Sequence, residues 1–169
     1  MSERPFLGLG HVTVPVRDLA LAERFYVELL GGEVLMRIDA TFLTRLGRDA
    51  DSAAFHTSIG FGGETRLDLF PQPSGQPAAR AGHPHIAIRV RPEALDELVQ
   101  RLRDCGVPVD GPRRLGPPGQ ASAYFNDPFG NHLELETMGY AREIEIGPPE
   151  MSSLVYAWSG RTPAAAGAA

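Results

Sequence analysis

No lysine occurs anywhere in these 169 residues; all sixteen basic side chains are arginines. Lysine Schiff bases, pyridoxal phosphate anchoring and a P-loop lysine are thereby excluded. Cysteine is almost as scarce. The single Cys105 cannot form an internal disulfide, which points to a reducing compartment. Long apolar runs are missing as well: no stretch approaches the roughly 18 residues of a membrane span. The opening Met-Ser-Glu-Arg-Pro lacks the apolar core of a signal peptide, so a cytoplasmic protein with no membrane partner is expected. Clustered positive charge is absent too. The net charge is −5 and the longest basic run is Arg113-Arg114, which leaves a nucleic acid without a counter-surface. No Gly-rich phosphate loop, zinc-ribbon spacing or G-x-S-x-G elbow appears.

What is present is a repeated pattern, with 43% hydrophobic residues to build a core. Residues 9–16 alternate like a strand, with Val12, Val14 and Val16 on one face and His11, Thr13 and Pro15 on the other. Asp18 reads as an N-cap. Leu21, Phe25 and Leu29 then recur at helical spacing until Gly31-Gly32 stops the helix. Strand-like runs follow at Glu33 to Ile38, Ala53 to Phe61 and Thr65 to Phe70. Residues 73–84 have linker composition, and after them the order restarts. His85 to Val90 is strand-like, Pro92 suits a first helical position, and Leu95, Val99 and Leu102 form an apolar stripe ending at Gly106. Further strand-like runs fall at Val107 to Val109, Ala121 to Asn126 and Asn131 to Glu136.

An offset of 74 residues superposes His11 on His85, Val14 on Ile88, Leu21 on Leu95 and Gly32 on Gly106. The expected fold class is therefore α+β: two βαβββ modules whose mixed sheets pair into a cup. Their bounds are 1–72 and 85–137, joined by the 73–84 linker. The extension 138–169 carries an apolar patch at Leu154 to Trp158 and an Ala/Gly-rich end expected to be disordered.

In each module the first strand opens with a histidine on the face opposite its aliphatic row. In each, the last strand holds a carboxylate between leucines, Leu67-Asp68-Leu69 and Leu133-Glu134-Leu135. If the leucines face the helices, the carboxylates face the cup. His11, Asp68, His85 and Glu134 would then approach a common centre. Two imidazoles with one or two carboxylates suit one divalent ion: Fe, Mn, Zn or Ni. His56 alternates inward as a candidate proton-transfer group. Tyr124 could donate to a bound oxyanion, and Arg89 and His132 share the inward face as candidate substrate contacts.

These modules, their opening histidines and the run Tyr124-Phe-Asn-Asp-Pro-Phe-Gly-Asn-His-Leu-Glu134 resemble the vicinal oxygen chelate superfamily. That group includes glyoxalase I, extradiol dioxygenases, fosfomycin-resistance enzymes and bleomycin-binding proteins. The resemblance implies a metal-dependent enzyme with the triad His11, His85 and Glu134, acting on a small substrate that offers two neighbouring oxygens. A ring-cleavage dioxygenase is the first expectation, although residues 113–122 lack the histidine that pattern carries before its tyrosine. A glyoxalase-like isomerase or lyase with Asp68 as fourth ligand is the alternative. There the aspartate must cover about 1.5 Å more than the family's glutamate. A metal-free drug-binding protein is the third. A homodimer partly covered by the Leu154 to Trp158 patch is expected, with the modules pairing within one chain or across two.

Overall fold

The computed structural model describes residues 9–50, 52–72, 85–147 and 158–163. The proposed linker and the end of the extension lie outside the described residues. The first module runs β1 (His11–Val16), α1 (Leu19–Glu23), β2 (Glu33–Ile38), α2 (Ala40–Arg45), β3 (His56–Gly60) and β4 (Arg66–Pro71). The second runs β5 (Ile86–Arg89), α3 (Pro92–Asp104), β6 (Asp110–Arg114), β7 (Gln120–Asn126) and β8 (His132–Met138), followed by β9 (Glu145–Ile146). The sheets have the orders β1-β4-β3-β2 and β5-β8-β7-β6-β9. In each module the first strand pairs parallel with the last and the other pairs are antiparallel, while β9 adds parallel to β6. This is the expected duplication, built as an α+β fold.

The helix signals work as physics requires. The Asp18 carboxylate accepts from the Leu21 N–H at 3.0 Å, and Pro92 occupies the first turn of α3. After Glu23 the first helix widens into a π-helical segment, Arg24–Leu29. Gly31, at φ +81°, ends it, and the Gly32 N–H bonds the Tyr26 carbonyl. Three details depart from the sequence pattern. The run from Ala53 shortens to a strand from His56, behind a 3₁₀ turn at Ser52–Ala54. A helix, α2, capped by the Asp39 side chain, interrupts the first module. In the second module the strand expected at 107–109 begins instead at Asp110, because 107–109 link α3 to the sheet and Val107 packs into the core.

One apolar core serves both modules. Val14, Val16, Ile59, Leu67 and Leu69 face α1, while Leu133, Leu135 and Ala123 face Leu95, Val99 and Leu102 of α3. The halves are locked by Phe25 against Phe125, with ring centroids 6.4 Å apart, and by the Tyr26 hydroxyl donating to Asp127 at 2.8 Å. Trp158 was expected to help cover a dimer surface. It is buried in its own chain instead, edge-on to Phe25 at 5.4 Å, with Arg24 beside its ring. The physical reason is that α1 leaves an aromatic face between the modules which a single indole fills. Leu154 to Ala157 lie outside the described residues. Among the described residues, no helix is long and apolar enough to cross a membrane.

Candidate metal centre

The leucines that flank each carboxylate are buried among the helices, so strand alternation turns Asp68 and Glu134 to the helix-free faces of their sheets. On the first sheet, β1 and β4 align Thr13 with Asp68 and β3 adds Ser58. On the second, β5 and β8 align Ala87 with Glu134 and β7 adds Tyr124. Each histidine stands two positions before the residue opposite its carboxylate. The two half-sites are therefore built alike.

They are not filled alike. The His85 Nε2 lies 2.7 Å from Glu134 Oε2, within direct hydrogen-bonding reach. The His11 Nε2 lies 3.8 Å from Asp68 Oδ2, and its side chain is 49% exposed. Asp68 is nearly saturated by other donors: the Ser58 hydroxyl at 2.6 Å and the Arg66 Nε at 3.0 Å both donate to Oδ1. Among the described residues, no group of three or more His, Cys, Asp or Glu side chains is placed to hold a metal ion. One chain thus presents two pairs, His11 with Asp68 and His85 with Glu134, rather than the single centre expected from its sequence. The helix-side packing between the modules accounts for this: α1 and its π-helical continuation stand against β7 and the Asp127 turn.

Around Glu134 the second sheet supplies further groups. Tyr124 is 5% exposed, and its ring stands edge-on to His85 at 5.8 Å. Burial pushes its phenol above the ordinary value, the Ser122 hydrogen bond opposes that, and the Glu134 charge adds to the rise. A neutral hydroxyl is therefore available as a donor beside Glu134. His132 stacks on Tyr124 at 5.9 Å, and its Nδ1 lies 2.8 Å from the Asn126 side-chain oxygen. His132 belongs to the inner face rather than to a solvated rim. Arg89 is 78% exposed at its side chain and pairs with Glu136, away from the buried groups. His56 faces the same side as Asp68 but stands four register positions from Gly60, which is level with His11. There it stacks on Phe70 at 4.4 Å.

Arg113 is a residue that the sequence pattern does not mark as part of the site. It is only 8% exposed, and its guanidinium contacts Asp110 at 2.5 and 2.9 Å. Its register partner is Ser122, one step of alternation from Tyr124, so it belongs to the same face as Glu134. Alternation alone could not have revealed it, because a bulge in β6 between Asp110 and Arg113 brings residues three apart to one face.

Known proteins share this fold. Residues 8–135 match the family model "Glyoxalase/Bleomycin resistance protein/Dioxygenase superfamily". The metallothiol transferase FosB of Bacillus licheniformis is 26% identical, covering 81% of this chain and 79% of its own. The fosfomycin resistance protein FosX of Listeria monocytogenes is 29% identical, covering 75% of this chain and 85% of its own. A FosX variant solved with Mn(II) and 1S,2S-dihydroxypropylphosphonic acid shares the fold, at a TM-score of 0.57 and 21% identity, over 80% of this chain and 92% of that one. TnmS3, an antibiotic binding protein from Streptomyces sp. CB03234, has a TM-score of 0.59 and 26% identity over 80% of this chain and 99% of that one. With its family model spanning both βαβββ modules, this chain belongs to the glyoxalase, bleomycin-resistance and dioxygenase superfamily.

Proposed function

We propose that this protein is a divalent-metal enzyme of the fosfomycin-resistance type, with a centre assembled from two copies of the chain. His11 of one copy would join His85 and Glu134 of the other. The observation that carries this reading is the division of the ligands. Each half-site offers one histidine and one carboxylate, and neither holds the three protein donors that suit such an ion. The donor set itself fits: neutral imidazoles and a buried carboxylate suit Mn, Fe, Zn or Ni. Bound there, the ion would supply a Lewis acid for two neighbouring substrate oxygens and for the charge that develops on them.

The chain's own side chains have distinct tasks. Glu134 is held with its charge inward by the leucines on either side. Asp68, already engaged by Ser58 and Arg66, orients His11 rather than coordinating. The Tyr124 hydroxyl donates to a substrate oxygen. Arg113, buried on the same face, recognises an anionic group such as a phosphonate. Ring cleavage and glyoxalase-like isomerisation use overlapping ligands. Neither gives a buried arginine a task on a neutral diol, and the second needs Asp68 as a ligand. Proximity to FosB and FosX supports the fosfomycin-type reading over both. Two buried carboxylates facing histidines are a cost with no use in a metal-free drug binder.

Mixing two crippled variants tests the assembly. His11→Ala and His85→Ala should each lose Mn and turnover of an epoxide phosphonate. Unfolded together and refolded at equal ratio, they should recover about a quarter of the wild-type sites, since one interface of each mixed dimer is intact. No recovery, or full Mn binding by a monomer, would overturn the two-copy centre.

A further inference from the structure

The helix-free faces of the two sheets share a histidine in the first row and a carboxylate in the second, and their third rows have no residue type in common. On the second sheet that row is Arg89, Glu136, Ser122 and Arg113, a charged band. On the first sheet the same row is Pro15, Phe70, His56 and Ile38. Phe70 and His56 stack at 4.4 Å with planes 19° apart, and the His56 Nδ1–H is turned to the Ala54 carbonyl at 2.8 Å, which fixes the ring. Both rings are half-buried, and Met36, in the middle row beside Ser58, extends the apolar surface. This row lies two residues, or roughly 7 Å, beyond the Asp68 row. A three-carbon phosphonate held near the carboxylates would not reach it.

We infer that the natural substrate carries a flat, apolar body on its anionic, metal-chelating head, and that the Phe70–His56 stack receives that body. This rests on the two-copy reading above, under which the first sheet's aromatic row would stand across from the second sheet's charged row. An amphipathic ligand then meets Arg113 with its anion and the stacked rings with its flat end. Stacking on such a pair is sequence-cheap and geometry-selective, because the two rings already stand parallel before the ligand arrives.

The test compares methylphosphonate with biphenyl-4-phosphonate on the Mn-loaded protein, by calorimetry. Wild type should bind the biphenyl compound at least tenfold more tightly. Phe70→Ala and His56→Ala should lose most of that preference while keeping the methylphosphonate affinity and the Mn content. Phe70→Leu, which retains apolar volume without a flat face, guards against a folding defect and should lose it too. Equal affinities in wild type, or a preference that survives in all three variants, would overturn the inference alone. Failure of wild type to bind Mn or methylphosphonate would instead overturn the underlying reading, and this inference with it.

Discussion

His11 and Asp68 in the first module hold the same register as His85 and Glu134 in the second, yet the first pair stands 3.8 Å apart and the second 2.7 Å. One methylene accounts for the contrast, together with its surroundings. The shorter aspartate is drawn back by Ser58 and Arg66 within its own sheet. At the matching positions the second module places Tyr124 and His132, which leave Glu134 facing His85. Duplication thus gave two equal frames, and divergence put a glutamate in contact with its histidine in one and an aspartate held by Ser58 and Arg66 in the other. Equal backbone geometry does not entail equal chemistry. The side chains beside each carboxylate decide which atom points where.

The strongest way to break this contrast is to remove the carboxylate on each side. Glu134→Ala should abolish stoichiometric Mn and lower turnover of an epoxide phosphonate by at least a thousandfold. Asp68→Ala should keep Mn, by elemental analysis, and lower turnover roughly 10- to 100-fold, the usual cost of losing a group that orients a ligand. Loss of Mn from the Asp68 variant would make the two halves equivalent after all and return the glyoxalase-like reading.

A smaller effect is expected at Arg113, which has no arginine counterpart in the first module's matching row. Arg113→Lys keeps the charge beside Asp110 but loses the planar fork, so KM for an anionic substrate should rise about tenfold with kcat little changed. An unchanged KM would remove the arginine from substrate recognition. Tyr26→Phe probes the lock between the modules. Asp127 would keep its Phe129 and Asn131 donors but lose the hydroxyl, and chemical denaturation should show a loss of about 1–2 kcal/mol.

The smallest effect separates the two helix clasps. The first helix is tied to β2 and β3 by Glu23, which accepts from Arg37 and from the Thr57 hydroxyl; α3 is tied through Asp96 to Tyr140 and Arg142. The Arg37 hydrogen bond holds the Glu23 carboxyl below its ordinary value against the opposing effect of burial. A depressed carboxyl stabilises the fold above its unfolded pKa, and that contribution disappears as pH falls through the folded value. Glu23→Gln should therefore cost about 1 kcal/mol at neutral pH. The gap from wild type should close as the pH is lowered through and below the normal glutamate range. Thermal melts across that range would show it, and a gap independent of pH would mean that packing rather than charge is lost.

Much of this was legible in the chain itself. Period-two alternation placed Val14, Leu67 and Leu133 inward and so turned His11, Asp68 and Glu134 outward, and the structure keeps those faces. Helix ends were legible at Asp18, Gly31 and Pro92 because each acts within one turn of itself. The start of β6 was not, because residues 107–109 are apolar for packing beneath α3, and apolarity without alternation does not separate strand from core loop. Arg113 was hidden by the bulge after Asp110, which breaks the two-residue period.

By itself, then, the sequence determined the duplicated βαβββ plan, the faces of the strands and the identity of the ligand-type residues, since all of these follow from local periodicity and from a repeat visible at one offset. Only the tertiary structure decided that the candidate ligands part into two pairs and that Trp158 closes onto Phe25. It also decided that Asp68 is held by Ser58 and Arg66 while Arg113 lies buried near Glu134. The first two depend on how helices of one module meet strands and the extension, contacts about a hundred positions apart that leave no period in the chain; the last two depend on cross-strand register and a bulge, which the pattern of a single strand does not encode.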